Sequence, residues 1–117
     1  MGQTTTKRAE TEREFESAIV QYARLTRWLV YHPHDSRFSE AGFPDLTMVR
    51  RSRLVFAELK TQKGRVSAKQ QEWLGALRCL PTGVDPWAGW SGRPPMTGVE
   101  VYEWRPSDWP DIERILR

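Results

Sequence analysis

Two apolar runs, Asp45-Leu46-Thr47-Met48-Val49 and Leu54-Val55-Phe56-Ala57-Glu58-Leu59-Lys60, are separated only by Arg50-Arg51-Ser52-Arg53. Both are rich in β-branched and aromatic residues, and four polar residues between them are short enough for a hairpin turn. This pair is framed by two capping boxes. Thr11 with Glu14 opens a helix over about 12–27, along which Phe15, Ile19, Tyr22, Ala23 and Leu25 recur at helical spacing. Ser67 with Gln70 opens a second over about 68–79, with Trp73, Leu74, Leu77 and Leu80 as its apolar stripe. Trp28-Leu29-Val30-Tyr31-His32 is a short strand ended by Pro33, and 34–44 is a loop. Val99 to Trp104 alternates like a strand, and Ser107-Asp108 before Trp109-Pro110 opens a last helix with Ile112, Ile115 and Leu116 as its buried face. The predicted order is α-β-β-β-α-β-α, an α/β fold.

With 117 residues the chain is expected to form one domain, preceded by a flexible N-terminal arm over 1–10. Residues 81–98 hold four prolines, four glycines and the tryptophans Trp87 and Trp90 without periodicity, and read as a long irregular loop. No apolar run approaches the roughly 20 residues that span a bilayer, and the polar start lacks the apolar core of a signal peptide. The expectation is a soluble cytoplasmic protein, in the compact stand-alone form of a bacterial or phage-encoded chain. Cys79 is the only cysteine and His32 and His34 the only histidines, so a zinc cluster is excluded and any metal must be held by oxygen.

The net charge of +3 is unevenly spread. Residues 50–69 contain seven basic side chains, Arg50, Arg51, Arg53, Lys60, Lys63, Arg65 and Lys69, against the single acid Glu58. Such a strip is the footprint of a polyanion binder, although strand-edge cations also discourage unwanted pairing. Arg51, Lys63, Arg65 and Lys69 are its candidate polyanion contacts.

Side chains alternate along a strand, so Glu58 and Lys60 share one face, and Asp45 at the start of the neighbouring strand can sit across the ladder from Glu58. Two carboxylates this close repel unless a cation lies between them, and carboxylate and carbonyl oxygens suit Mg²⁺ or Mn²⁺. The Leu59 backbone carbonyl is an additional candidate ligand. Lys60 is placed to orient or deprotonate a water, or to offset charge developing on a phosphate. An isolated Glu-x-Lys is more often a surface ion pair, so the weight rests on the whole arrangement.

That arrangement, Gly42-x-Pro44-Asp45, then Glu58-Leu59-Lys60, Gly64, and Ser67-x-x-Gln70-x-x-Trp73 behind an acidic amphipathic helix, resembles the VRR-NUC family of the PD-(D/E)XK nuclease superfamily, which includes the archaeal Holliday-junction resolvases. The likeness runs from about Glu12 to Leu77 and resumes from Val99 to Leu116. It implies a restriction-endonuclease-like mixed β-sheet flanked by α-helices over 11–117, with the 81–98 loop as an insertion. It also implies a Mg²⁺- or Mn²⁺-dependent endodeoxyribonuclease acting on branched or structured DNA such as Holliday junctions or flaps, as a homodimer. Asp45 and Glu58 would bind metal, Lys60 would assist the water, and Gln70 would reach the site from the second helix while also serving its cap. A carboxylate from the first helix is expected, Glu16 by preference and Glu12 as the alternative one turn earlier. Ser36, Arg37 and His34 on the loop before Asp45 are candidate DNA contacts. The competing expectations are a non-catalytic DNA-binding module and a sequence-specific restriction-type endonuclease.

Overall fold

In a computed structural model the described residues are 11–33, 39–79 and 99–117. The expected N-terminal arm and the 81–98 insertion, with Leu80, Trp87 and Trp90, lie outside them. The elements are α1 (Glu12–Leu25), β1 (Leu29–Tyr31), β2 (Leu46–Arg50), β3 (Arg53–Leu59), α2 (Ala68–Arg78), β4 (Val99–Trp104) and α3 (Trp109–Leu116), the last preceded by a 3-10 turn at Pro106–Asp108. The order is the one expected.

Both capping boxes close. The Glu14 amide donates to Thr11 Oγ1 at 3.1 Å while Thr11 N donates to Glu14 Oε1 at 2.9 Å, and Ser67 and Gln70 repeat the exchange at 3.2 and 2.8 Å.

The strands form one sheet in the order β1-β2-β3-β4. β1–β2 and β2–β3 are antiparallel, whereas β3–β4 is parallel and joined through α2. One face carries Leu46, Met48, Val55, Ala57, Leu59 and Trp104, buried against Phe15, Ile19 and Ala23 of α1 and Ile112 and Leu116 of α3. Trp109 packs edge-on to Phe15 and Tyr22, with ring centroids 6.0 and 6.3 Å apart. On the opposite face Phe43 fits edge-on to both Phe56 and Trp73, at 5.9 and 5.1 Å, and joins α2 to β3.

The hairpin is tighter than the sequence indicates. Arg50 and Arg53 pair with each other, leaving Arg51-Ser52 as a two-residue turn in which Arg51 takes a φ of 56°, the left-handed conformation favoured in short hairpins. The two outer arginines belong to the strands because both have partners inside. Their guanidinium carbons lie 4.6 and 4.9 Å from the Trp28 ring centroid. Arg50 donates to the carbonyls of Thr26, Leu116 and Arg117, and Arg53 donates to Ile115 and is doubly bonded to Glu100 at 2.7 and 2.8 Å. They clamp α3 to the sheet and do not continue a nucleic-acid-facing strip.

Candidate active site

The β2–β3 register pairs Leu46 with Ala57. One step further along the same ladder sets Asp45 opposite Glu58, as the alternation in the sequence requires. The Leu59 amide donates to Asp45 Oδ2 at 2.8 Å, which fixes the aspartate at the mouth of the hairpin. Glu58 is 1% exposed, and neither of its carboxylate oxygens has a hydrogen-bond partner among the described residues. Its cation is Lys60, with Nζ 3.8 Å from Glu58 Oε2.

Burial is the first cause, and the Asp45 charge the second, of a Glu58 carboxyl pushed up to about 8; Lys60 acts against both. Asp45 is also raised by burial, opposed by the Leu59 N–H bond and by Lys60. The α1 glutamates join this field. Glu16 and Glu12 are each raised first by burial and then by Asp45. Glu12 also feels Lys60 and pushes the Glu58 carboxyl further up, whereas Glu16 turns toward His32, whose Nδ1 lies 3.9 Å from Glu16 Oε1. Both glutamates therefore border the pair. A groove of about 840 Å³ runs along α1 past Ser17, Gln21 and Arg24 and meets this cluster at Glu16.

Gly42 explains how Asp45 is delivered. Its φ of 88° is left-handed, and a Cβ there would lie 2.5 Å from the Lys69 carbonyl carbon and oxygen. The loop thus presses backbone to backbone on the first turn of α2, and the fully buried Pro44 follows it into β2. Gly42→Ala is expected to cost about 2–4 kcal/mol, combining positive-φ strain with overpacking. Urea denaturation checks this; a loss within about 0.5 kcal/mol of zero would refute it.

Around this centre Lys63, Arg65 and Lys69 are exposed on the segment from β3 into α2. Arg51 stands at the other end of β3, roughly 17 Å or more from Glu58 at about 3.3 Å per residue. The Gln70 side-chain carbonyl is held by Ser67 N, which leaves its NH₂ for other work. His34, Ser36 and Arg37 lie outside the described residues. Neither Arg105 nor the approach of His32 to Glu16 can be read from the sequence, because the first depends on β3 and β4 becoming neighbours and the second on how α1 packs against β1.

Among the described residues no group of three or more His, Cys, Asp or Glu is arranged to hold a metal ion. The donor set nevertheless suits a hard cation, since the buried Glu58 carboxyl faces the half-buried Asp45 with no hydrogen bond to its own oxygens among the described residues, and Mg²⁺ commonly takes only one or two carboxylates plus water.

A mixed sheet backed by helices brings two carboxyls and a lysine together at the open end of its central hairpin. A family model described as VRR-NUC domain matches residues 4–84, and the chain belongs to that nuclease-type family. No curated protein and no solved structure matches it. No helix among the described residues is long and apolar enough to cross a membrane.

Proposed function

We propose that this chain is a cytoplasmic, metal-dependent endodeoxyribonuclease that hydrolyses phosphodiester bonds in branched or structured DNA, Holliday junctions or flaps, with Mg²⁺ or Mn²⁺ as cofactor. The observation that carries this is the buried, unpartnered Glu58 carboxyl facing Asp45 with Lys60 beside it. Asp45, Glu58, the Leu59 carbonyl and Glu16, or Glu12, would hold the ion. When bound, the ion supplies Lewis acidity and makes water a nucleophile near neutral pH.

The protein's own groups do the rest. The Leu59 amide keeps Asp45 from rotating away. Lys60, only 13% exposed, places a cation where charge develops on the phosphate and its leaving group. Gln70 offers its free NH₂ to a phosphate oxygen. Lys63, Arg65 and Lys69 take neighbouring phosphates, Arg51 meets a more distant part of the duplex, and Ser36, Arg37 and His34 are further candidate contacts. The test is incubation with labelled four-way junction, flap and plain duplex in Mg²⁺, Mn²⁺ or EDTA. Metal-dependent cutting of junction or flap ahead of duplex is expected. DNA binding that survives EDTA without product under either metal would make the chain a binding module, and cutting of duplex at one sequence would make it a restriction-type enzyme.

The enzyme is further proposed to act as a homodimer. Leu29 and Val49 are register partners on one sheet face, 75% and 39% exposed, with Tyr31 on the same face at 61%. Apolar side chains gathered in this way mark an association surface, and a two-fold pair suits a two-fold junction. Sedimentation should show a dimer at micromolar concentration and a monomer for Leu29→Lys/Tyr31→Lys; a parent that sediments only as monomer, with or without DNA, contradicts it.

A further inference from the structure

Beyond the carboxylates, the segment that carries Lys60 and Lys63 is held from outside its own hairpin. β3 and β4 run parallel, with Leu59 paired to Trp104, so Lys60 and Arg105 leave the sheet side by side. Lys60 N donates to Trp104 O at 3.0 Å, and the chain then closes a turn in which Gly64 N donates to Thr61 O at 3.2 Å. The turn is tight: a Cβ on Gly64 would come within 2.9 Å of Thr61 Oγ1.

The Arg105 guanidinium spans this turn. Nη2 donates to Gly64 O at 2.8 Å and lies 3.1 Å from Glu103 Oε2, while Nη1 reaches Thr61 O at 3.5 Å. Glu103 thereby fixes the guanidinium that the turn leans on. Arg105 is itself held, its amide donating to Asp108 Oδ2 at 2.8 Å. Gln62 and Ser107 add a reciprocal pair, Gln62 Nε2 to Ser107 Oγ at 3.0 Å and Ser107 N to Gln62 Oε1 at 3.1 Å. The junction between β4 and α3 thus grips both ends and the middle of Lys60–Gly64.

We propose that Arg105 is a positioning residue: by bridging the Thr61 and Gly64 carbonyls it holds the turn that sets the Lys60 ammonium against Glu58. Its side chain meets the Thr61 and Gly64 carbonyls and Glu103 rather than Asp45 or Glu58. Lysine at this place has one ammonium with which to reach two carbonyls and Glu103, and replaces the planar fork only in part.

This rests on the nuclease reading, and the test keeps the two apart. Single-turnover cleavage is measured for the parent, Arg105→Ala and Arg105→Lys with junction DNA and Mn²⁺. DNA affinity is measured for each variant in an Asp45→Asn background, and hydrogen exchange is followed at the Gly64 amide and at the β3 amides. Arg105→Ala should lower the cleavage rate roughly ten- to hundredfold, the cost of a displaced catalytic group, with affinity within about twofold of the parent. Arg105→Lys should recover part of the rate. Exchange should quicken at Gly64 and stay unchanged in β3, which a general loss of fold would not produce. An unchanged cleavage rate in Arg105→Ala, or a loss matched by faster exchange throughout β3, would overturn the proposal. A parent that cuts nothing would overturn the nuclease reading instead, and the exchange result would still report whether Arg105 holds the turn.

Discussion

Replacing Glu58 by glutamine is expected to stabilise the metal-free protein at pH 8 and to abolish cleavage. The Glu58 carboxyl, raised from an ordinary 4.5 to about 8 by burial and by Asp45, binds its proton more tightly in the folded chain than in the unfolded one. Its contribution to stability is therefore fully present below about 4.5 and is lost as pH rises to about 8. Asp45, Glu12 and Glu16 are shifted in the same direction, whereas Glu100, lowered by its bonds from Arg53, works the other way at more acid pH.

A tenfold change in proton affinity is worth about 1.4 kcal/mol, so a rise from 4.5 to about 8 makes charging Glu58 cost the fold on the order of 4 kcal/mol at pH 8. The neutral glutamine amide carries no such cost and can donate to the Asp45 carboxylate that faces it. The gain should raise Tm at pH 8 by roughly 10 °C, and the fall in Tm between pH 5.5 and 8.5 should be shallower than in the parent. The ion should reverse this order. At about a hundredfold excess over its Kd, Mn²⁺ should stabilise the parent by about 2.7 kcal/mol and Glu58→Gln much less. Thermal melts across pH, with and without Mn²⁺, check both halves. A variant less stable than the parent at pH 8, or equally stabilised by Mn²⁺, contradicts the assignment.

The second large effect is expected at Lys60. Its ammonium, 13% exposed and 3.8 Å from Glu58, is the cation nearest the carboxyl pair. Lys60→Ala should lower the cleavage rate about 10²–10³-fold, the range found when one group aimed at developing charge is removed. DNA affinity should change little, since exposed Lys63, Arg65 and Lys69 remain. Loss of affinity equal to the loss of rate would make Lys60 a phosphate anchor rather than part of the chemistry.

How much of this is written in the chain depends on the range of the interactions. The helix starts at Thr11 and Ser67 are local exchanges over three residues and can be read directly. The Asp45–Glu58 pairing follows from a short turn and the two-residue period of a strand, so it too is legible. Arg50 and Arg53 are not: their partners, Trp28 and the carbonyls of α3, lie up to 67 residues away, and without those contacts a basic run reads as turn and DNA-facing strip. The strip is in fact divided, with Lys60, Lys63, Arg65 and Lys69 toward the carboxyl end of β3 and Arg51 at the opposite end. Glu12 and Glu16 stand one turn apart, and periodicity alone favours the one on the apolar face without showing that the other feels Lys60 and Glu58. Arg105 is legible only once β3 and β4 are known to run parallel and adjacent.

The most direct test of the central claim compares single-turnover cleavage of labelled four-way junction by the parent and by Asp45→Asn, in Mn²⁺ and in EDTA, at a temperature where melts show both folded. The parent should cut only with Mn²⁺, and Asp45→Asn should bind the junction yet leave it intact. Cleavage by Asp45→Asn at the parent's rate, or by the parent in EDTA, would contradict a metal-dependent site built on Asp45 and Glu58.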